Sequence, residues 1–182
     1  MEFVFRPLGI TGVTVIEHQL FRDHRGFFLE DYRLEDFVIH GIPPFVQGNF
    51  SRSVQGVLRG LHYQLEPAAV GKLVRCTSGR IYDVALDMRK SSPTYGRWAG
   101  VELSGEGTSM LYVPPGCAHG FCVLSAMADV AYLMTGYYSA PHDRAVLWCD
   151  PDVGIEWPVR EPLLSSKDAA APRLHQADNN FA

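Results

Sequence analysis

The sequence predicts an all-β protein, built as a sandwich or a barrel, and three observations support this. Short runs rich in Val, Ile, Tyr and Phe recur along the chain. Gly, Pro, Ser and Asp separate these runs at intervals of about 8–12 residues, which is typical of antiparallel β-folds. Helical patterns are few and short. With 182 residues, of which 47% are hydrophobic and 20% charged, we expect a single domain over residues 1–182.

The β-type runs predict eleven strands, separated by turn residues. The predicted strands cover residues 13–20, 26–31, 45–53, 57–64, 72–78, 80–87, 97–103, 110–113, 118–124, 128–135 and 145–149. Between two of them, the segment "SGRIYDV" is expected to form a tight hairpin through Ser78 and Gly79.

Helical signals are confined to two short segments, which are expected at the periphery of the sandwich. Residues 34–39 can form one helix that ends near Gly41. Within residues 163–171, Ser165 is a possible N-cap. The tail at residues 176–182 is polar enough to be loose.

The composition argues against several classes of partner and cofactor. The net charge of −4 provides no long-range attraction to nucleic acid or to an anionic membrane, so we expect neither. No signal peptide is apparent, and no run approaches the roughly 18 apolar residues of a membrane helix, so a cytoplasmic location is expected. The four cysteines form no CxxC pair and are expected to be buried, reduced thiols. Neither GxGxxG nor a Walker sequence is present, which argues against a nucleotide redox cofactor.

Two of the seven histidines lie in strand-like, apolar surroundings near glycine: His62 in "RGLHYQ" and His119 in "PPGCAHGFCVL". A single half-buried histidine is most often structural, but two of them favour a pocket. A small sandwich with a PxGxxH segment suggests a cupin, whose metal-binding members carry H-x-H followed by Glu. Because Gln64 stands two residues after His62, we expect no metal, and acid–base chemistry near neutral pH is the favoured role.

The stretch "GVLRGLHYQL" raises a question of side-chain direction, because Arg59 and His62 are three residues apart. Side chains alternate along a strand, so these two should point to opposite faces. If both serve one site, the strand must bend or bulge near Gly60. Alternatively, Arg59 lies at the edge of the strand and curls over the rim.

Two further residues have both a structural and a chemical interpretation. Tyr132, in "VAYLM", is favoured by sequence alone as a packing residue, but its phenol could also donate a proton opposite a base. Lys72 opens the strand "GKLVRC" and would be a fixed positive charge near an oxyanion if it faced the interior. Several basic residues concentrate in the first half of the chain, and a diphosphate ligand would account for two or three of them. They are Arg22, Arg25, Arg52, Arg59, Lys72 and Arg75.

Five longer segments carry motifs in a fixed order: "FRDHRGFFLEDY", "VLRGLHYQ", "GKLVRCTSGRIYDVALDMRKSSPTYGRW", "VPPGCAHGFCVLS" and "DVGIEWP…LLSSKDAAAP". Together, over residues 5–175, they resemble the dTDP-4-dehydrorhamnose 3,5-epimerase family. The resemblance implies a metal-free cupin jelly roll that forms a homodimer by exchanging N-terminal strands. It also implies inversion of carbons 3 and 5 of dTDP-4-dehydro-6-deoxy-D-glucose, without a cofactor, towards dTDP-L-rhamnose.

The resemblance assigns roles to four catalytic residues. His62 would be the base and Tyr132 the acid, on opposite faces of the sugar ring. Asp168 would hold the His62 ring and stabilise its imidazolium form. Lys72 would stand near the enolate oxygen.

Further residues are expected, by the same resemblance, to bind the substrate. His119 would line the sugar site, and Asp83 is the candidate that orients its ring because of its position in the strand "IYDVALD". In a dimer with exchanged strands, the segment 25–30 would come from the partner subunit. The nucleotide-binding residues would be Arg25, Glu30, Gln47, Asn49, Arg59, Tyr138, Asp143 and Lys167, with Phe21 and Phe27 as candidates to stack on the thymine or wall the sugar.

The sequence leaves the exact substrate and reaction open. Gly48, Asp143 and Cys149 stand where the family often has Asp, Glu and Asn, which leaves the preferred sugar nucleotide undecided. A relative that inverts only carbon 3 or only carbon 5 would share the same base. Three functions of different kinds are also compatible with the chain: non-catalytic binding of a nucleotide sugar, an isomerisation that shifts the ketone, and metal-dependent oxygenase or isomerase chemistry.

Overall fold

The computed structural model describes residues 2–182, which form thirteen β-strands and two short α-helices. The strands are β1 (Phe3–Pro7), β2 (Thr14–His18), β3 (Leu20–Asp23), β4 (Gly26–Leu29), β5 (Gln47–Val54), β6 (Leu58–Gln64), β7 (Lys72–Ser78), β8 (Arg80–Asp87), β9 (Trp98–Ser104), β10 (Ser109–Val113), β11 (Cys117–Val123), β12 (Met127–Met134) and β13 (Asp143–Ala145). The helices are α1 (Leu34–Ile39) and α2 (Ser166–Ala169), and 3₁₀ turns lie at Ala140–His142 and Leu174–Gln176. No helix in this part of the chain is long and apolar enough to cross a membrane.

Two antiparallel sheets pack together as a sandwich. The six-stranded sheet has the order β1-β2-β10-β7-β12-β5, and the five-stranded sheet has the order β13-β6-β11-β8-β9. Within them, β5-β12-β7-β10 faces β6-β11-β8-β9, which is the strand order of a jelly roll. The predicted all-β fold and jelly-roll architecture are therefore confirmed. β3 and β4 form a separate hairpin outside both sheets.

Apolar side chains fill the space between the two sheets. Val74 and Leu111 from the six-stranded sheet pack in one buried cluster with Ile81 and Phe121 from the five-stranded sheet. Full burial of such a side chain contributes about 1.5–3 kcal/mol. This cluster fixes the separation of the sheets next to the polar residues described below.

The outer faces of the sheets are covered by segments from outside the jelly roll. Phe37 of α1 packs with Ile42 on the six-stranded sheet. The C-terminal part of the chain covers the five-stranded sheet, where Trp157 and Phe181 pack beside Leu61. Phe181 is only 5% exposed, so the prediction of a loose tail is wrong.

Two predictions are wrong at places where the chain passes from one sheet to another. The predicted hairpin through Ser78 and Gly79 is wrong, because β7 and β8 belong to different sheets and the chain crosses between them there. The run at 13–20 is divided, since β2 ends at His18 and β3 begins the separate hairpin at Leu20.

The strand expected at 145–149 is also displaced, because the backbone N–H of Leu147 donates to the carbonyl oxygen of Pro172 rather than to β6. β1, which carries no strand prediction, pairs along its whole length with β2. All four cysteines are free thiols, and Cys149 is exposed, whereas the other three are buried as expected.

Candidate active site

Strand β6 carries one more residue than its neighbour β11 where the site lies. His62 is opposite His119, and Arg59 is opposite Phe121, so three steps along β6 correspond to two along β11. A bulge of this kind changes which face the following side chains occupy. Arg59 and His62 therefore both line the cavity between the sheets, and the predicted break in β6 is confirmed.

Glycine is required at the bulge for two reasons. Gly60 has a φ of +126°, a conformation that side chains with a Cβ rarely adopt. A Cβ on Gly60 would lie 2.5 Å from Cα of Gly120 and 2.8 Å from the carbonyl oxygen of His119. The following peptide bond, to Leu61, is cis. The two facing glycines thus allow β6 and β11 to approach closely beside both histidines.

Two adjoining hollows form a cleft between the sheets. The larger has a volume of about 490 Å³ and is lined by residues of both sheets and of α2. The smaller has a volume of about 360 Å³ and extends towards the 3₁₀ turn at Ala140–His142 and β13. His62, Lys72 and Tyr132 line both hollows and mark their junction. A cleft of this shape can hold an elongated ligand with its reactive part at the junction.

His62 is held by a carboxylate from a distant part of the chain. Its Nε2 lies 2.5 Å from Oδ1 of Asp168. Ser165 accepts a hydrogen bond from the backbone N–H of Asp168 at 3.1 Å, which confirms Ser165 as the N-cap of α2. Burial alone would raise the pKa of Asp168, but hydrogen bonds from His62, Ser165 and the backbone of Gly60 outweigh it, so the pKa is lowered. Asp168 is therefore a carboxylate that accepts from Nε2–H, which leaves Nδ1 of the neutral ring as the basic nitrogen.

A second His–Asp pair lies on the neighbouring strands β11 and β8. Nε2 of His119 is 2.7 Å from Oδ1 of Asp83, which confirms that Asp83 orients this ring. Asp83 is fully buried, and its Oδ2 has no hydrogen-bond partner among residues 2–182. Because His119 is opposite His62 in the register, the two imidazoles form one wall of the cleft.

Lys72 and Tyr132 belong to the six-stranded sheet and face His62 from the other side of the cleft. Nζ of Lys72 donates to the carbonyl oxygen of His62 at 3.3 Å and so bridges the two sheets. Burial lowers the pKa of Lys72 to about 8, although nearby carboxylates oppose this. Burial raises the pKa of Tyr132, with the charge of Arg59 acting in the opposite direction. Near neutral pH, Lys72 is thus mainly cationic and Tyr132 is a protonated phenol.

The smaller hollow is organised around Asp143. Its carboxylate forms an ion pair with Lys167 and accepts a hydrogen bond from the hydroxyl of Tyr138 at 3.1 Å. Gln47 accepts from the backbone N–H of Tyr138 at 2.9 Å and donates to Asn49 at 3.1 Å. The structure therefore brings these five residues, all named from the sequence as substrate-binding, into one group.

Four other residues named from the sequence lie away from the cleft, on or beside the β3–β4 hairpin. These are Phe21, Arg25, Phe27 and Glu30. The two phenylalanines are 43% and 45% exposed. The two charged side chains are engaged in ion pairs with neighbouring residues of the same segment. Neither hollow of this chain includes any of the four.

Two polar residues of the cleft carry no functional prediction from the sequence. Gln64, 6% exposed, accepts from the backbone N–H of Ser139 at 2.7 Å and so ties β6 to the segment that bears Tyr138. Ser51 lines the larger hollow, and its buried hydroxyl has no partner in the described chain. The sequence did contain a signal for both residues, because side chains two positions apart on a strand lie on the same face. Gln64 lies two residues after His62, and Ser51 lies two residues after Asn49.

The departures from the family pattern fall in different places. Gly48 lies on the face of β5 opposite to the cleft, and Cys149 is exposed and outside both hollows. Asp143 lines the cleft. Within residues 2–182, no three His, Cys, Asp or Glu side chains gather in a way that could hold a metal ion.

The fold and the cleft define a class of protein, a jelly roll with a His–carboxylate pair, a lysine and a phenol between its sheets. A family model described as dTDP-4-dehydrorhamnose 3,5-epimerase matches residues 7–176 of the chain. The dTDP-4-dehydrorhamnose 3,5-epimerase of Shigella flexneri is 50% identical over 171 residues, which cover 93% of this chain and 94% of the relative. The chain therefore belongs to the dTDP-4-dehydrorhamnose 3,5-epimerase family.

Two other relatives bear on the reaction. The dTDP-6-deoxy-D-glucose-3,5-epimerase of Legionella pneumophila Philadelphia 1, solved in complex with dTDP-4-keto-L-rhamnose, is 46% identical. It superposes with a TM-score of 0.93 over 97% of this chain and 95% of that one. The dTDP-4-dehydrorhamnose 3-epimerase of Streptomyces niveus is 40% identical over 174 residues, covering 94% of this chain and 84% of the relative.

Proposed function

We propose that this protein inverts carbons 3 and 5 of dTDP-4-dehydro-6-deoxy-D-glucose, without a cofactor, towards dTDP-L-rhamnose. The observation that carries the proposal is the placement of the His62–Asp168 pair on one wall of the cleft and Tyr132 on the other. A proton acceptor and a proton donor on opposite sides of one ligand convert proton exchange into inversion.

The first half of the reaction is proton removal. A hydrogen on a carbon beside a ketone is weakly acidic, and Nδ1 of His62 takes it as a proton. The electron pair of the broken C–H bond moves to the ketone oxygen, which becomes an enolate. The Lys72 ammonium stabilises this oxygen, and Asp168 stabilises the imidazolium.

The second half is proton delivery from the opposite face. Tyr132 gives its phenolic proton to the same carbon, the ketone re-forms, and the configuration is inverted. His62 then releases its proton to water, and Tyr132 recovers one from water. The side chain of His62 is 31% exposed, which provides the contact with solvent that this exchange requires. Because carbons 3 and 5 both flank the ketone at carbon 4, the same groups can serve both inversions.

The nucleotide part of the substrate occupies the smaller hollow and its rim. Lys167 contacts the diphosphate from the smaller hollow. Arg59, which lines the larger hollow and donates through Nε to Ser53 at 3.0 Å, contacts it from the other side of the junction. Gln47 and Asn49 supply amide groups, and Tyr138 supplies an exposed ring for stacking. His119 lines the sugar end of the cleft, in the larger hollow.

A homodimer is part of the proposal, because the β3–β4 hairpin exposes a large apolar surface. Phe21 and Phe27 are exposed as described, and Phe28 is 61% exposed. If a second copy of the chain covered this hairpin, Arg25 and Glu30 of the first copy would lie beside the cleft of the second. In that arrangement the hairpin residues named from the sequence act on the partner's nucleotide.

The edge strand β5 supports the same assembly. Phe50 and Val54 lie on its outward side and are 64% and 55% exposed. Size-exclusion chromatography with light scattering should give twice the chain mass, and a monomer at micromolar concentration would contradict the dimer.

With a net charge of −4, we expect no nucleic-acid or membrane partner, and we expect the protein to act in the cytoplasm.

The second candidate function is inversion of carbon 3 alone. It is favoured by the Streptomyces niveus relative, which is a 3-epimerase and covers nearly the whole chain. The base and the lysine would act in the same way, so the two candidates differ only in the carbons that exchange.

Turnover of dTDP-4-dehydro-6-deoxy-D-glucose in heavy water, followed by NMR, tests the proposal. Deuterium and inverted configuration at both carbons 3 and 5 of the product would support it. Label at one carbon only would assign the single epimerase. Absence of turnover by folded protein would contradict both candidates, and a stoichiometric metal required for activity would contradict the cofactor-free mechanism.

A further inference from the structure

The last residues of the chain form an ordered strap across the five-stranded sheet. We define this strap as residues 177–182, which lie beyond the residues 7–176 that the family model matches. Two of its side chains, Asn179 and Asn180, each make two hydrogen bonds to the backbone. The strap therefore has specific contacts, although its composition is polar.

The strap binds the end of β6 through polar groups. The hydroxyl of Tyr63 donates to the carbonyl oxygen of Asp178. Asn180 accepts from the backbone N–H of Glu66 at 3.0 Å and donates to the carbonyl oxygen of Glu66 at 3.0 Å. These contacts fix the chain on both sides of Gln64, two residues from His62.

Phe181 adds an apolar contact on the back of the same strand. It is buried in a cluster with Leu61, Tyr63 and Leu65, and its ring centroid lies 6.1 Å from that of Tyr63. Along the chain these three residues alternate with His62 and Gln64, which line the smaller hollow. Tyr63, whose ring packs near Phe181, also borders that hollow. The strap therefore packs against the face of β6 that is opposite the side chain of His62.

The strap also holds the neighbouring edge strand. The Asp178 carboxylate accepts from Nε of Arg144 on β13 at 3.0 Å, and Arg144 is opposite Tyr63 in the register. The first residue of β13 is Asp143, which organises the smaller hollow. Asn179, in contrast, donates to the carbonyl oxygen of Met88 at 2.6 Å and contacts neither β6 nor β13 by a hydrogen bond.

The hydrogen bond between His62 and Asp168 joins β6 to α2, and further contacts hold β6 at each of its ends. Asp168 belongs to α2, and the start of β6 is tied to the segment before α2 because Leu58 donates to the carbonyl oxygen of Leu163 at 3.0 Å. The other end of β6 is held by the strap. A 1 Å displacement in an active site can reduce the rate by about 10²-fold.

We propose that the strap is a positioning element that keeps His62 against Asp168 and Asp143 in the cleft. This inference rests on the proposed function only for its effect on turnover. The geometric effect, on the His62–Asp168 hydrogen bond, can be measured without turnover.

The experiment compares Asn180→Ala with Asn179→Ala in the full-length protein. Each substitution removes a carboxamide with two backbone hydrogen bonds, but only Asn180 binds the chain next to β6, at Glu66, two residues beyond the strand. At a temperature well below unfolding, we expect kcat to fall about tenfold in Asn180→Ala with KM changed less than twofold, and kcat to stay within about twofold in Asn179→Ala.

Proton NMR of the His62 ring measures the His62–Asp168 hydrogen bond directly. The resonance would not change in a folded variant if the strap only stabilised the fold. The Nε2–H proton of His62 should give a far-downfield resonance in the wild type and in Asn179→Ala. In Asn180→Ala, and in a variant lacking residues 178–182, we expect it to move upfield or broaden. An unchanged resonance in folded Asn180→Ala would overturn the inference. An altered resonance in a protein whose wild type shows no turnover would support the strap and contradict the proposed function.

Discussion

The two His–Asp pairs of the cleft make the same contact but differ in exposure and in origin. The side chain of His62 is 31% exposed, and its carboxylate comes from α2, a separate segment. The side chain of His119 is 8% exposed, and Asp83 lies on the adjoining strand of the same sheet. A ring that exchanges protons with solvent must be partly exposed, as the ring of His62 is. A buried ring, such as that of His119, is suited to forming part of the cleft wall. The difference supports the proposed roles of His62 as the base and of His119 as a fixed contact.

The largest effect is expected from removing the base. His62→Asn should lower kcat by about 10²–10⁴-fold, the usual range for loss of a general base. His119→Asn, the matched control, should lower kcat by less than about tenfold because its ring takes no proton. Steady-state turnover with both variants, each checked by circular dichroism, measures the ratio. Equal losses would remove the distinction between the two pairs.

A smaller effect is expected from altering the partner of the base. Asp168→Asn should lower kcat by about 10²-fold, because an amide NH₂ next to Nε2 favours the tautomer with the proton on Nδ1. KM should change little, since Asp168 acts through His62. The measurement is kcat and KM across the accessible pH range. A pure KM effect would show that Asp168 binds substrate instead.

The pH dependence of turnover distinguishes the role of Lys72 from the roles of the two His–Asp pairs. Burial lowers the pKa of Lys72 to about 8, so its ammonium is lost as pH rises through that value. The rate of wild-type enzyme should fall about tenfold between pH 7 and 9, and Lys72→Met should lose this limb. Because the unfolded lysine titrates near 10.5, stability should rise over the same interval while activity falls. Parallel loss of both would indicate unfolding rather than deprotonation.

The smallest effect concerns stability in acid. The folded-state pKa of Asp168 is lowered, so its stabilising contribution is complete above the unfolded value of about 3.9 and is lost as pH falls below it. Urea unfolding of wild type and Asp168→Asn should differ by about 1 kcal/mol at pH 6, and the difference should shrink towards pH 3. A difference that grows in acid would contradict the assigned direction.

The resemblance to the family supplied most of the site residues, and strand parity supplied two local features of the site. The three-residue spacing of Arg59 and His62 left two alternatives, a break near Gly60 or an Arg59 at the strand edge, and the structure has the break. The pairing of Asp83 with His119 followed from the position of Asp83 in its strand, and it is present. In both cases, alternation along a strand restricts which side chains can share a cavity.

Other features depend on contacts that local patterns do not contain. Ser78 and Gly79 have the composition of a hairpin turn, but the sheet to which each flanking strand belongs is decided by distant partners. Asn180 looks mobile in sequence, yet it binds Glu66 across 114 positions of the chain. The roles of Arg25 and Glu30 stay a prediction, because they require a second copy of the chain.

The most direct test of the assigned base is solvent exchange into recovered substrate. With Tyr132→Phe in heavy water, we expect deuterium to enter the carbon beside the ketone without inversion, because His62 still removes the proton and returns deuterium to the same face. With His62→Asn, we expect neither exchange nor inversion, while His119→Asn should do both. Exchange by His62→Asn at the wild-type rate, with loss of exchange in His119→Asn, would contradict the assignment of His62 as the base.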